Sequence, residues 1–291
     1  MINMYNVLEN LKKEFPYIYY DFNNFSKLND MMIARLKEEP LSAGKSENLD
    51  LKKIFSYVDI ILKSLGSKYY DEFCKLKQSG AILIDNLGKT RGSYLSADGK
   101  TINFKYTGSY FDIATLIHEF VHYLNRLTCV NKSPLNRQYF GETMAISFEL
   151  YAQKHLITSG IPKNLVGLNI RYDFERMMVN YYKNTIDELK IIWNAGLPKT
   201  SEVSQEEIAL SREIGSHFQH LLGFLLGYYI TNNFSLKDII YLNNHLNDFE
   251  SPKDIFMYLK INLETLLLMS PNMSLTLDLD QRKNTDAISI I

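Results

Sequence analysis

Apolar residues recur at three- and four-residue steps in YNVLENLKKEF and again in LKKIFSYVDIILKSLGSKYYDEFCKLK, so residues 1–78 read as helical. The polar stretch KEEPLSAGKSENLD between them, with Pro40 and Gly44, reads as a loop. Then the period changes. AILIDN is a short apolar run closed by a turn, GSYLSADGK carries an Asp-Gly turn, and TINFKYTG alternates Ile102, Phe104 and Tyr106. These segments predict short strands, antiparallel around Asp98-Gly99. Helical periodicity returns at Tyr110 and runs to about Leu268, broken at NKSPLN, SGIPKN, NAGLPKTSEVSQEE, NNFSLKD and FESPKD. Several of these breaks place Ser or Thr where a helix N-cap belongs. The predicted class is mainly α, with a small antiparallel-type β-sheet beside the helix that begins near Tyr110. The expected organisation is an N-terminal helical segment at 1–78 packed on the core, a core at 79–275, and a polar tail at 276–291.

Composition narrows the partners. The chain has 291 residues, 46% apolar and 22% charged, enough to bury a sizeable core. Thirty-two basic side chains stand against thirty-three acidic ones, so no basic field is offered to nucleic acid or to an anionic membrane. The longest apolar run, Leu221 to Ile230, is too short to span a bilayer, and no membrane insertion is expected. Cys74 and Cys129 are far apart without C-x-x-C spacing and read as reduced, buried thiols. The start, MINMYNVLENLKKEF, lacks the charged-then-apolar order of a signal peptide. A cytoplasmic location is expected, although delivery into another cell by a secretion machine would leave no mark in these residues.

One stretch carries chemistry. In FDIATLIHEFVHYLNRL, residues Ile113, Leu116, Ile117, Phe120, Val121 and Leu124 form a core-facing helical stripe. His118 and His122 lie i, i+4 on a neighbouring strip, with Cβ atoms about 5–6 Å apart, so both imidazoles can reach one Zn²⁺. Glu119 is turned to the side, where it can take a proton from a water without binding the metal itself; this is the mechanical content of H-E-x-x-H. A lone histidine pair is more often structural than ligating. The glutamate and the buried stripe beside it favour a metal site.

A catalytic zinc needs a third protein ligand and an open position. In FGETMAISFELYAQKHL, Glu142 and Glu149 share one face of a helix whose other residues, Met144, Ile146, Phe148, Leu150 and Tyr151, mark it as packed in the core. A carboxylate there must be paired or metal-bound. Glu142 is the best third ligand. Glu149, roughly 10 Å further along by helix rise, cannot also reach the metal and is expected to support it or touch substrate.

At this point the chain resembles the M3 family of zinc peptidases, the thimet oligopeptidase and oligoendopeptidase F group. The family carries a Lys-Arg-x-Gly-x-[Tyr/Phe] segment, an apolar strand ending Asn-[Phe/Tyr], and then the HExGH helix. Residues Gly88 to Asn125, GKTRGSYLSADGKTINFKYTGSYFDIATLIHEFVHYLN, follow that order. The family's third-ligand helix begins with a glutamate and has an acidic or amide residue seven positions on, matching Glu142 and Glu149. SHFQHLLGFLLGYYIT, Ser216 to Thr231, looks like the family's histidine followed by a glycine- and tyrosine-rich run.

Two departures stand out. Val121 replaces the HExGH glycine, and the catalytic-loop histidine is His217 in a gapless match but His220 if one residue is deleted. His220 is preferred here, being closer to Gly223, where a helix can open toward the metal. Tyr228 falls on a family tyrosine either way, Phe224 replaces one, and Tyr229 is a substrate-contact candidate.

The resemblance spans Gly88 to Thr231. It implies a gluzincin-like catalytic domain with one Zn²⁺ per chain on His118, His122 and Glu142, and Glu119 as general base. It also implies a histidine of the HFQH pair and Tyr228 as donors to the oxyanion, and a peptide or protein as substrate. The substrate strand is expected to add to an exposed edge at TINFKYTG. Rival readings are a specialised, effector- or toxin-like endopeptidase cutting one protein, an inactive peptide-binding module, and a metal-stabilised helical scaffold. The resemblance leads us to expect a catalytic core without the family's large channel-forming domain, which favours the first rival. The retained Glu119 speaks against the second, and the absence of an obvious fourth ligand against the third.

Overall fold

The computed structural model describes residues 2–36, 48–85, 92–127, 134–196 and 202–269, with positions 275, 277 and 279. Gly88–Arg91 of the family-like segment, most of the loop around Pro40 and Gly44, Cys129 and most of the polar tail lie outside the described residues. The chain is mainly helical with one small sheet. Its elements divide into two compact units, and two long helices contribute to both.

The first unit is built from Met1–Leu41, Tyr172–Leu222 and Phe256–Met273. It holds α1 (Met4–Glu14), α2 (Pro16–Tyr20) and α3 (Phe22–Leu36). The second unit, Ser42–Arg171, Gly223–Ile255 and Ser274–Ile291, contains α4 (Leu51–Leu65), α5 (Ser67–Gln78), β1 (Ile82–Asp85), β2 (Tyr94–Leu95), β3 (Ile102–Lys105), α6 (Phe111–Leu127) and α7 (Pro134–Thr158). Helix α8 (Leu168–Ala195) starts in the second unit and continues in the first, while α9 (Gln205–Asn233) runs from the first into the second. After it come α10 (Leu236–His245), α11 (Pro252–Tyr258) and α12 (Leu263–Met269).

Aromatic side chains build both cores. In the first unit the Phe218 ring meets Phe22 at 5.8 Å and Phe25 at 5.2 Å, and all three are fully buried. In the second, Phe73 meets Phe120 edge-on at 5.1 Å, and the stripe Ile113, Leu116, Ile117, Phe120, Val121 and Leu124 is buried throughout. Helix α7 is buried on nearly every side from Thr143 to Leu150, as a core helix must be when its sequence is apolar all round. Ser235 begins α10 with a capping box closed by Asp238.

The sheet corrects the antiparallel expectation. β2 and β3 do pair antiparallel around the Asp98-Gly99 turn, but β1 joins β3 in parallel, with Ile82 opposite Ile102, giving the order β1-β3-β2. A parallel pair cannot be closed by a tight hairpin turn, and β2 lies on the far side of β3. β3 is thereby the central strand. The TINFKYTG edge expected to receive a substrate strand is already paired on both sides, and the outer edges among the described residues belong to β1 and β2. Cys74 is half-buried, not buried as its type suggested. No helix among the described residues is long and apolar enough to cross a membrane.

Candidate metal centre

Helix α6 enters from β3 through a turn organised by one carboxylate. Asp112, buried in the first turn of α6, accepts from the Thr107 and Gly108 amides at 2.8 Å each and from the Thr107 hydroxyl at 2.6 Å. These bonds close the turn that leads into the helix, and a negative charge in its first turn suits the helix dipole. At the other end, Arg126 donates to the Ala97 carbonyl and lies against Gly99, where its side chain occupies the place of a Cβ and the φ of +72° also favours glycine. The hairpin is thus clasped to the last turn of α6.

Within that frame His118 and His122 converge with Glu142 of α7. The two Nε2 atoms are 3.1 Å apart, His118 Nε2 is 3.5 Å from Glu142 Oε2, and His122 Nε2 is 3.2 Å from Glu142 Oε1. Two ligand atoms on one tetrahedral zinc, each about 2.0–2.1 Å from it, lie roughly 3.3–3.4 Å apart. The observed separations bracket that value. Among the described residues these three form the group able to hold a metal ion. Two neutral imidazoles and a carboxylate are also a donor set that suits zinc.

Glu149, seven residues past Glu142, lies behind His118. Its Oε2 is 3.0 Å from His118 Nδ1, and it is fully buried. A carboxylate only accepts, so Nδ1 carries a hydrogen and Nε2 is the ring nitrogen left to face the converging group. Arg171, in the first turn of α8, engages both Glu149 oxygens: Nε reaches Oε1 at 3.1 Å, and Nη2 contacts Oε2. Its approach to His118 Nδ1 at 3.5 Å is contact between two donors and not a hydrogen bond.

The electrostatics follow from this packing. Burial opposes charge on His118, but hydrogen bonds to Glu142 and Glu149 outweigh it and push the imidazole up to about 10. In the metal-free protein a proton on Nε2 therefore sits where the three ligand atoms meet, and metal binding would release it. Burial alone would raise Glu149. The Arg171 charge, followed by the hydrogen bond and charge of His118, holds it at about 2. Glu119, the residue after His118, is only 7% exposed.

The aromatic and histidine candidates on α9 fall in different places. His217 and His220 belong to the first unit, whereas His118, His122, Glu142, Tyr228 and Tyr229 belong to the second. His217 is fully buried, with Nε2 2.8 Å from Asn29 Oδ1 and its ring 5.0 Å from that of Tyr182. Burial, with a smaller push from His220, takes it down to about 3, so it is neutral. His220 is half-buried, 6.0 Å ring to ring from Phe174. Tyr228 is buried edge-on against Phe224 at 5.2 Å, and half-buried Tyr229 meets Phe234 at 6.0 Å.

Gly223 does not open the helix. α9 is continuous from Gln205 to Asn233, and a Cβ at Gly223 would lie 2.9 Å from the Glu142 Cβ and carbonyl carbon. A Cβ at Gly227, one turn on, would meet Ile146 Cγ2 at 2.7 Å. The two glycines let α9 press against the segment of α7 that carries Glu142.

Arg171 escaped the sequence reading. Its (i, i+4) neighbour is Glu175, so it reads as half of an ordinary helix-surface pair. No protein-family profile, curated protein or solved structure matches this chain.

Proposed function

We propose that the chain is a zinc-dependent peptidase of gluzincin type, akin to the M3 family, acting on peptides or extended protein segments in the cytoplasm. The observation that carries this reading is the convergence of His118, His122 and Glu142 on an H-E-x-x-H helix whose glutamate is buried beside the first ligand. When bound there, one zinc ion would polarise a scissile carbonyl and bring the pKa of a water toward about 7. The chain's own residues supply the rest. His118 and His122 turn their Nε2 atoms toward Glu142, and the Glu149 acceptor on Nδ1 leaves His118 Nε2 able to coordinate once a metal displaces its proton. Glu119 takes the proton from the attacking water and hands it to the leaving amine nitrogen. A histidine of the HFQH pair and Tyr228 are assigned as donors to the developing oxyanion on the family resemblance, which leaves His217 and His220 open. His217 has its Nε2 engaged with Asn29, which gives it a packing role instead.

Among the described residues no fourth ligand joins His118, His122 and Glu142, so a zinc ion held there would have a position for water or substrate. This favours catalysis over a closed structural site. The test is Glu119→Gln, which is nearly isosteric. It should keep its metal and fold while losing about 10²–10⁴ of peptide hydrolysis on any substrate the wild type cleaves. Equal turnover in both proteins removes Glu119 from the chemistry.

A further inference from the structure

We infer that Arg171 is a positioning residue of the metal centre: its fork fixes the plane of Glu149, and through it the orientation of the His118 ring. The inference rests on the metal reading above and adds a residue to it. Glu149 has no solvent to orient it, and its carboxylate would otherwise turn about its side-chain torsions. Arg171 anchors both oxygens at once, Nε on Oε1 and Nη2 on Oε2, which leaves Oε2 aimed at His118 Nδ1. A guanidinium offers this two-point geometry and an ammonium does not.

The placement of Arg171 is itself built. Its helix starts after Gly167, which has a φ of +81°, and a Cβ there would fall 2.5 Å from Phe111 Cβ at the head of α6. The preceding carbonyl, of Val166, accepts from Gln153 Nε2 of α7 at 3.2 Å. Helices α6 and α7, which carry the ligands, thus also seat the turn that delivers Arg171.

A double-mutant cycle on metal affinity tests this in the full chain. Zinc affinity would be measured by chelator competition in wild type, Arg171→Met, Glu149→Gln and the double variant. The visible spectrum of the cobalt(II)-loaded proteins would report ligand geometry. Arg171→Met should lose about 10–100-fold in affinity and alter the cobalt spectrum, as removal of an outer-shell partner does. In the Glu149→Gln background the same change should cost less than about threefold, because the carboxylate it acts through is gone.

Equal losses in both backgrounds would overturn the inference, as would undiminished affinity in Arg171→Met when the wild type binds zinc. A wild type that binds no metal would instead defeat the metal reading itself. If Arg171→Met fails to fold because Glu149 has lost its cation, Arg171→Lys keeps the charge without the fork. It should still lose about tenfold, the low end of the same range, and wild-type affinity there would overturn the inference.

Discussion

His118 Nδ1 and Glu149 Oε2 stand 3.0 Å apart, across the packing of α6 on α7, so a histidine on one helix is held by a carboxylate on the other. Glu142, two turns earlier on the same face of α7, sets its own oxygens against His118 and His122. The following outcomes are expected from this arrangement.

Purified protein should carry about one zinc per chain, and Glu142→Ala should retain little of it after dialysis, since two histidines alone make a weak site. Metal analysis of both proteins decides the matter. Full retention in the variant would move the third ligand elsewhere.

Gly223→Ala should be costly for its size. The added methyl group would meet the Glu142 Cβ and backbone, and overpacking of this kind destabilises by about 1–3 kcal/mol. It should also weaken zinc binding, because the segment forced to move carries a ligand. Gly92→Ala, where nothing lies within 4 Å, is the control. Matching denaturation midpoints and zinc affinities for the two variants would show that the close approach is unimportant.

His217 should make the fold sensitive to acid. Its folded value is pushed down to about 3 from an ordinary 6.5, so between those values the unfolded chain binds more protons than the folded one. Stability then rises with pH across that window; the penalty is absent above it and grows as pH falls toward about 3. His217→Gln keeps a donor for Asn29 but does not titrate, so its loss of stability from about pH 7 to about pH 4 should be smaller than that of wild type. Urea titrations at both pH values measure this. Parallel losses would mean that His217 does not contribute.

His220→Ala and Tyr228→Phe should each lower kcat by about 10²–10³ with little change in KM, as removal of an oxyanion donor does. His217→Ala should act through stability instead, leaving kcat of the folded fraction near normal. A crippled His217→Ala beside a normal His220→Ala would reverse the assignment. If none of the three changes kcat, the resemblance of this segment to the family's catalytic loop fails.

Local periodicity was enough to read the core stripe of α6 and the facing of His118 and His122, because a helix's 3.6-residue turn places i and i+4 side by side wherever it forms. A carboxylate in the apolar run of α7 likewise announced that Glu142 needed a partner, although its side chain is half-buried and not fully so. What the tertiary structure alone decided are relationships between residues far apart in the chain. β1 chose a parallel partner, Gly223 makes a close approach to α7 where a helix opening was expected, and Arg171 reached back to Glu149 across 22 residues. Strand direction, interhelical distance and the target of a long cationic side chain leave no periodic trace in the sequence. They are set by which surfaces meet when the apolar faces are buried together, and that depends on the whole fold rather than on any one segment.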